Sequence, residues 1–291
     1  VDEPGDQGAG LGVDRRAERA AARRRRTRRG QAIAAISSVV VLGGLATLVL
    51  TSPGWPDVRD TFFDWSEFKS SFPDVAKAFW LDIRVFCIVE AVVLALGLVV
   101  ALLRTIPSPA LFPLRILSIV YADVFRGIPT ILLVYLIGFG VPALTNVPNS
   151  HLAWLPTEPV VLGGIALALS YGAYVSEVYR AGLRSVHRGQ RHAGLAIGLT
   201  EGQALRHVVL PQAVRRVGPP LLNDFVALQK DVALISVLGV AGEAFRTAQI
   251  QASTDFNYTP LIAAALLYMA VTIPLARLLD RWDSRQSGRT V

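Results

Sequence analysis

Six stretches of this chain are apolar for long enough to cross a lipid bilayer, at about residues 32–50, 81–103, 114–140, 159–181, within 219–241, and 260–279. A hydrocarbon core about 30 Å thick takes roughly 20 helical residues. Inside it, each backbone N–H and C=O has to find its partner within the protein, which favours helices. The pattern therefore predicts an all-α, polytopic membrane protein with six transmembrane helices. Composition agrees, with 52% hydrophobic residues, only 18% charged and a mean hydropathy of +0.45. Soluble domains carry about 25% charged residues. The first run follows a cluster of arginines, as a secretory signal would. Nineteen residues is long for a signal core, however, and no small-residue cleavage site follows. Thr51-Ser52-Pro53-Gly54-Trp55 reads instead as an interfacial stop.

Charge gives the expected orientation. Of 29 Lys and Arg residues, nine lie in the first 29 positions, ending in Arg23-Arg24-Arg25-Arg26-Thr27-Arg28-Arg29. With the N-terminus inside, the cytoplasmic segments hold 21 basic residues and the opposite ones hold 4, the rest lying in or beside spans. Positive charge stays on the cytoplasmic side, so the expectation is N-in and C-in. The expected organisation is a basic cytoplasmic tail at 1–30 and a first membrane helix at 31–51. An extracytoplasmic segment with Trp55, Trp65 and Trp80 follows at 52–80, then a membrane core at 81–281 and a short tail at 282–291. The net charge of +7 belongs to this topology and to anionic lipid, not to nucleic acid.

Some chemistry is excluded early. The one cysteine, Cys87, sits in an apolar run and reads as a small buried hydrophobe. No metal-ligand spacing, nucleophile constellation or glycine-rich phosphate loop is visible. His187, His192 and His207 share one polar segment without the spacing of a metal site. The chain is expected to have no catalytic residues, no metal and no cofactor of its own.

The polar segment 182–218 carries the functional reading. Gly189-Gln190-Arg191-His192-Ala193-Gly194-Leu195-Ala196-Ile197-Gly198-Leu199-Thr200 predicts a short helix with Ala193, Ala196 and Ile197 on one face. Gly198 is free to adopt the left-handed conformation that ends a helix. Thr200 and Gln203 are spaced as a capping box for a second helix, which Pro211 is expected to close. A polar loop with one apolar face needs a partner to cover it.

These residues resemble the "EAA" loop of bacterial ABC-importer permeases, with its glycine and downstream Leu210-Pro211. His192 stands where the family has glutamate, and Gly194 where it has the second alanine. Three more segments are similar to the branch that moves polar amino acids. Phe125-Arg126-Gly127-Ile128-Pro129 resembles "FRGTP", and Ser170 to Gly182 resembles "SAYxAEixRGG". Gln229-Lys230-Asp231-Val232-Ala233-Leu234-Ile235-Ser236-Val237 resembles "KDTSLxSVI". The resemblance covers about 75–280 and implies a five-span importer core, with the first span as an addition. It implies a coupling role for Gln190, His192, Ala193, Gly194, Gly198, Leu199, Leu210 and Pro211. It also implies two cytoplasmic ATPase subunits holding ATP and Mg, a second permease chain and an extracytoplasmic solute-binding protein. The departure at His192 favours a paralogous second permease over an identical copy. The site of action is then the bacterial cytoplasmic membrane, and the cargo belongs to the glutamate, glutamine and arginine class.

Polar residues inside the spans are candidates for a translocation path or gate. They are Glu90, Arg126, Tyr174, Glu177, Arg180, Lys230 and Asp231. Glu90 lies about 12 Å into its span at 1.5 Å per residue, where it either attracts an ammonium group or makes a helix–helix hydrogen bond. Glu177 and Arg180, like Asp123 and Arg126, are three apart and suit an intrahelical ion pair; a gate contact with a second permease chain is the functional alternative. Lys230-Asp231 suits a break in the fifth span, meeting either a substrate or freed backbone groups. A secondary transporter or channel acting alone is the competing function. It needs no partner-docking loop, and the inverted repeats common in such proteins are not visible here.

Overall fold

A computed structural model of the chain describes residues 30–31, 33–105, 109–148 and 151–287, with side-chain surroundings as far as Arg281. The expected basic tail up to residue 29 and the last residues, 288–291, lie outside that range. Among the described residues every regular element is helical.

The chain divides into two compact units, 1–60 and 61–291. The first contains α1, Ile33–Leu50, long and apolar enough to cross a membrane. Two of its hydroxyl side chains, and Thr51 just beyond its end, bond to the preceding turn. The Thr47 hydroxyl donates to Gly43 O at 2.8 Å, and Thr51 to Thr47 O at 2.7 Å. Such bonding back to the preceding turn lets a hydroxyl sit in lipid without an unpaired donor. Helix α2, Trp55–Phe62, follows.

The second unit is built around two long helices. Helix α3, Trp65–Thr105, has 41 residues, about 60 Å at 1.5 Å per residue, twice a bilayer's hydrocarbon thickness. Its apolar half presents Val85, Phe86, Val89, Val93 and Val100 inward, while Ile88, Val92 and Val99 stay exposed. Large apolar side chains on the outside are what lipid permits. Helix α6, Pro159–Ser185, is the central element. Its Ala166, Leu167, Tyr171 and Val175 form one core with α3, with α5 (Thr130–Thr145) and with α9 (Leu210–Asp231). Approach is close because glycines stand at the crossings. A Cβ on Gly97 of α3 would sit 2.6 Å from Val175 Cγ1 and 3.2 Å from the Ser176 backbone nitrogen. Small residues that let membrane helices touch through their backbones are a general device. A second core joins Val75, Ala78 and Phe79 of α3 to α10 (Ala244–Asp255) and α11 (Thr259–Ser287).

Two expected spans are not straight rods. The stretch at 114–140 divides into α4, Phe112–Gly127, and α5, bent by 106° between them. The cause is Pro129, which lacks an N–H and forces Ile128 into extended backbone, with φ −97° and ψ 130°. The FRGIP segment at Phe125 to Pro129 is therefore the hinge of this bend. The span expected within 219–241 also differs. Helix α9 starts earlier, at Leu210, carries Arg215, Arg216, Asp224 and Lys230, and gives way at Val232 to a 3-10 helix, Val232–Leu238. Gly239 ends that turn with φ +73°. Four described helices are long and apolar enough to cross a membrane, or five if the bent pair is one span.

Gly97→Ala forces its new methyl into Val175 and the α6 backbone. Overpacking of this kind costs about 1–3 kcal/mol, and a lower unfolding temperature of the detergent-solubilised protein, read by tryptophan fluorescence, is the expected result. Gly140→Ala, with open space around its Cα, serves as the control and leaves the transition in place.

Candidate functional site

Segment 182–218 folds as a compact helical hairpin. Helix α7, Arg188–Ala196, starts at His187, whose Nδ1 accepts the Gly189 N–H at 3.1 Å. It ends in a left-handed cap. Gly198 has φ +92°, its N–H donates to Leu195 O at 3.0 Å, and the Leu199 N–H donates to Gly194 O at 3.1 Å. That pair of bonds is a Schellman closure, which only a residue at ease with positive φ supports. The capping box forms as its spacing predicts. Gln203 N–H donates to the Thr200 hydroxyl, and Thr200 N–H to Gln203 Oε1 at 2.8 Å, opening α8, Glu201–Ala204.

Pro211 does not close the second helix. A π-helical turn, Leu205–Val209, carries α8 directly into α9, and Pro211 stands in the first turn of α9. The wider turn and the helix start are where proline's missing N–H does least harm. The hairpin is fastened to α6 by Val186, Val209 and Ala213 and by Arg216 donating to Ser185 O. Arg191 and Glu201 pair at 2.6 Å across its two arms.

The residues expected to couple sort into two groups. Gln190, His192, Ala193, Ala196 and Gly198 are exposed, and Ile197 is 81% exposed. Leu210 and Pro211 are also exposed at the start of α9. Gly194 and Leu199 instead hold the hairpin together, since a Cβ on Gly194 would lie 3.5 Å from Ala204, Leu199 and Val208. That is ordinary van der Waals contact, so the site has room for the alanine that the resembled loop carries.

Behind the hairpin, the expected gate residues converge. Glu177 of α6 pairs with Arg180, its Oε2 accepting Arg180 Nε at 3.0 Å. It also pairs with Arg104 of α3. Arg126 lies 3.7 Å from the same carboxylate, not beside Asp123 as its spacing suggests, and its guanidinium stacks over the Tyr174 ring. The Tyr174 hydroxyl donates to Arg126 O at 3.2 Å. One glutamate thus ties α3, α4 and α6 together. Arg104, with a side chain only 9% exposed, is the member sequence reasoning missed. It counts there as a loop charge, and nothing in the chain links position 104 to 177.

Asp231 and Lys230 separate. Asp231 accepts the Tyr171 hydroxyl at 2.7 Å where α9 turns into the 3-10 helix, whereas Lys230 is exposed. Glu90 is buried and lines a cavity of about 1080 Å³ between α3, α6, α9 and the hairpin. Another buried polar group escaped sequence reasoning. Glu243 caps α10 by accepting Phe245 N–H at 2.9 Å and Arg246 N–H at 2.5 Å, while Tyr268 of α11 donates to Asp82 of α3 at 2.7 Å. Glutamate is not a favoured cap residue, so the sequence offered no signal. Among the described residues no group of three His, Cys, Asp or Glu side chains is placed to hold a metal ion.

A multi-pass bundle of apolar helices with charged groups inside it and an exposed helical hairpin defines a membrane transport component. The chain belongs to the family of binding-protein-dependent transport system inner membrane components, whose model matches residues 94–288. It is a membrane permease subunit, not an enzyme. It is 35% identical to the Probable amino-acid permease protein YxeN of Bacillus subtilis (strain 168), over 77% of this chain and 96% of that protein. It is 30% identical to the glutamine transport system permease protein GlnP of Escherichia coli (strain K12), over 77% of this chain and 97% of the relative. In structure it is similar to a chain of an amino acid ABC transporter crystallised with histidines, with a TM-score of 0.66 and 27% identity, over 76% of this chain and 98% of that one. It also shares the fold of the inward-facing MetNI methionine ABC transporter, at a TM-score of 0.51 and 17% identity.

Two substitutions separate the hairpin's packing from its surface. Gly194→Ala relieves the unfolded-state entropy of glycine and is expected to raise stability by about 0.4–1 kcal/mol. Gly198→Ala strains a left-handed residue and lowers it by about 1–2 kcal/mol. Thermal unfolding of the two variants checks the opposite signs. For the charged cluster, Glu177→Gln leaves arginines partly buried without their counter-charge, and breaking a buried pair costs about 3–5 kcal/mol. A double-mutant cycle with Arg104→Gln, read by the same melts, is expected to show coupling above about 1 kcal/mol.

Proposed function

We propose that this permease is the membrane subunit of an ATP-driven importer for polar amino acids, and that the hairpin at 182–218 is its coupling element. The observation that carries this reading is the exposed apolar patch of Ala193, Ala196 and Ile197, on a helix whose cap and core are otherwise well closed. An isoleucine 81% exposed on a polar segment makes sense where another protein covers it. His192 lies on the same exposed face, in the place of the resembled loop's glutamate, and the ATPase contact there is correspondingly altered.

The full assembly is two cytoplasmic ATPase subunits holding ATP and Mg, two permease chains with a paralogue as the second, and an extracytoplasmic solute-binding protein. The bacterial cytoplasmic membrane holds six helices of this chain with both termini inside, an orientation supported by the 21 to 4 division of basic charge. Relatives include permeases of glutamine and arginine transport systems, which supports the polar amino acid class. Movement of the ATPases is passed to α9, into which the hairpin runs as continuous helix, and to α6, to which it is joined by the two-residue link Val186-His187. The bundle then rocks between inward- and outward-facing states. The cluster of Arg104, Arg126, Glu177 and Arg180 sits at the root of that lever and acts as its gate contact.

Ile197→Asp tests this directly. It sits in open solvent and leaves the hairpin core untouched, so the protein melts normally. ATP-driven amino acid uptake in proteoliposomes with the ATPase partner is expected to fall at least about tenfold, because a charge forced into an apolar contact costs more than 1.4 kcal/mol. Uptake that survives both this change and deletion of residues 190–200 sinks the coupling role and returns the chain to a stand-alone transporter.

A further inference from the structure

A second polar centre lies where α3, α10 and α11 meet. Asp82 of α3 is 2% exposed, and Glu243, at the start of α10, is fully buried. The phenol oxygen of Tyr268 on α11 touches both, at 2.7 Å from Asp82 Oδ2 and 3.3 Å from Glu243 Oε1. Oxygens at 2.7 Å and 3.3 Å from one atom lie no more than 6.0 Å apart. The two carboxyl groups are also within hydrogen-bonding reach of each other.

No cation balances this pair. Among the described residues neither acid forms an ion pair. Asp74, Lys77 and Arg84 of α3 are exposed, and Glu90 lies about 12 Å further along that helix at 1.5 Å per residue. On α10, Arg246 lines a separate pocket with Gln249 and Ser253, and Asp255 is exposed. Helix α11 carries no charged residue before Arg277, and the 3-10 helix Val232–Leu238 carries none.

The donors that are present are unequally divided. Glu243 accepts the Phe245 N–H at 2.9 Å on one oxygen and the Arg246 N–H at 2.5 Å on the other. Asp82 receives the phenol hydrogen and a long contact from the Ala244 N–H at 3.4 Å, both on Oδ2. Its Oδ1 is buried with no partner. A phenol has one hydrogen to give, and the shorter contact takes it. Two ionised carboxylates this close, out of water and without a cation, oppose each other. One proton on the pair removes the conflict. Two amides and the helix dipole favour the charge on Glu243, which leaves Asp82 as the neutral member.

We infer that Asp82 and Glu243 form a proton-binding site, filled by one proton at neutral pH and carried on Asp82, which joins α3 to α10 and α11. The proton does here what guanidinium groups do for Glu177. Phe79, edge-on to the Tyr268 ring at 5.0 Å, and the second core close the site. Loss of the proton at alkaline pH sets two like charges against each other where α3 meets α10, and loosens that contact. The inference is independent of the importer reading, since it involves neither ATP nor cargo.

The test follows reversible unfolding of the full chain in mixed detergent from neutral to alkaline pH, together with infrared spectra of the folded protein. An aspartic acid in water ionises well below neutral pH, so unfolding the wild type releases the proton from Asp82. That contribution lowers the folding constant tenfold for each unit rise in pH while the site is filled. Asp82→Asn is neutral at every pH and keeps a donor in the same place. It is expected to fold, to show a pH slope smaller by one proton, and to lose one protonated-carboxyl band from the infrared spectrum. Glu243→Gln, which removes one of the two acceptors that cap α10, is expected to melt lower than Asp82→Asn. An unchanged slope and band in Asp82→Asn mean that Asp82 is ionised in the folded chain, and overturn the inference. So does failure of Asp82→Asn to fold, because an amide then does not replace a neutral acid of the same shape. Greater wild-type stability in sodium chloride than in choline chloride, lost in Asp82→Asn, also overturns it, since a metal ion then takes the place of the proton.

Discussion

The close crossing of α3 and α6, made possible where Gly97 meets Val175, is the contact on which the rest of this membrane unit depends. Between lipid-soluble helices there is no hydrophobic driving force of the kind water supplies, so association has to come from tight packing and polar contacts. Glycine at the crossing provides the first. The close approach then brings Arg104 near enough to reach Glu177, which provides the second. Every later element is placed relative to this pair. Helix α4 adds Arg126 to the same glutamate, α5 and α9 pack on the faces of α6 that remain, and the hairpin leaves from its end.

The proposed coupling role suits the way the hairpin is built. The hairpin is well closed, by a Schellman cap, a capping box and a small apolar core, yet its outer face is left apolar and uncovered. A body that is stiff inside and adhesive outside transmits force from whatever docks on it. Its two ends join α6 and α9, so in the proposed coupling role displacement reaches the helices beside the cavity that Glu90 lines. The π turn is part of this continuity, since it lets Pro211 stand inside an unbroken helical path.

Much of this was legible in residues alone. Apolar run length marks the class of fold, and the glycine at 198 with Thr200 and Gln203 marks the hairpin's caps. The bend at Ile128-Pro129 escapes a reading by apolar run length, which carries the span straight through the proline, and the route through Pro211 escapes one that takes proline as a terminator; what proline does depends on what the neighbouring helices and turns supply. The pairing of Arg126 was misjudged for a related reason. Spacing along one helix favours Asp123, but a more deeply buried carboxylate from another helix binds a guanidinium more strongly.

Run lengths and short spacings place the chain in lipid, make segment 182–218 a capped and partly apolar protrusion, and put a few acids and arginines where they are costly. These are properties of runs and short spacings, which act over one or two turns of helix. Which of those charges meet is set by how the helices pack. Glu177 acquires Arg104 from 73 positions away, while Glu90 is left lining a cavity between α3, α6 and α9. Whether a buried carboxylate is a strut or a binding site depends on its partners across the bundle, and helix packing selects those partners regardless of their distance along the chain.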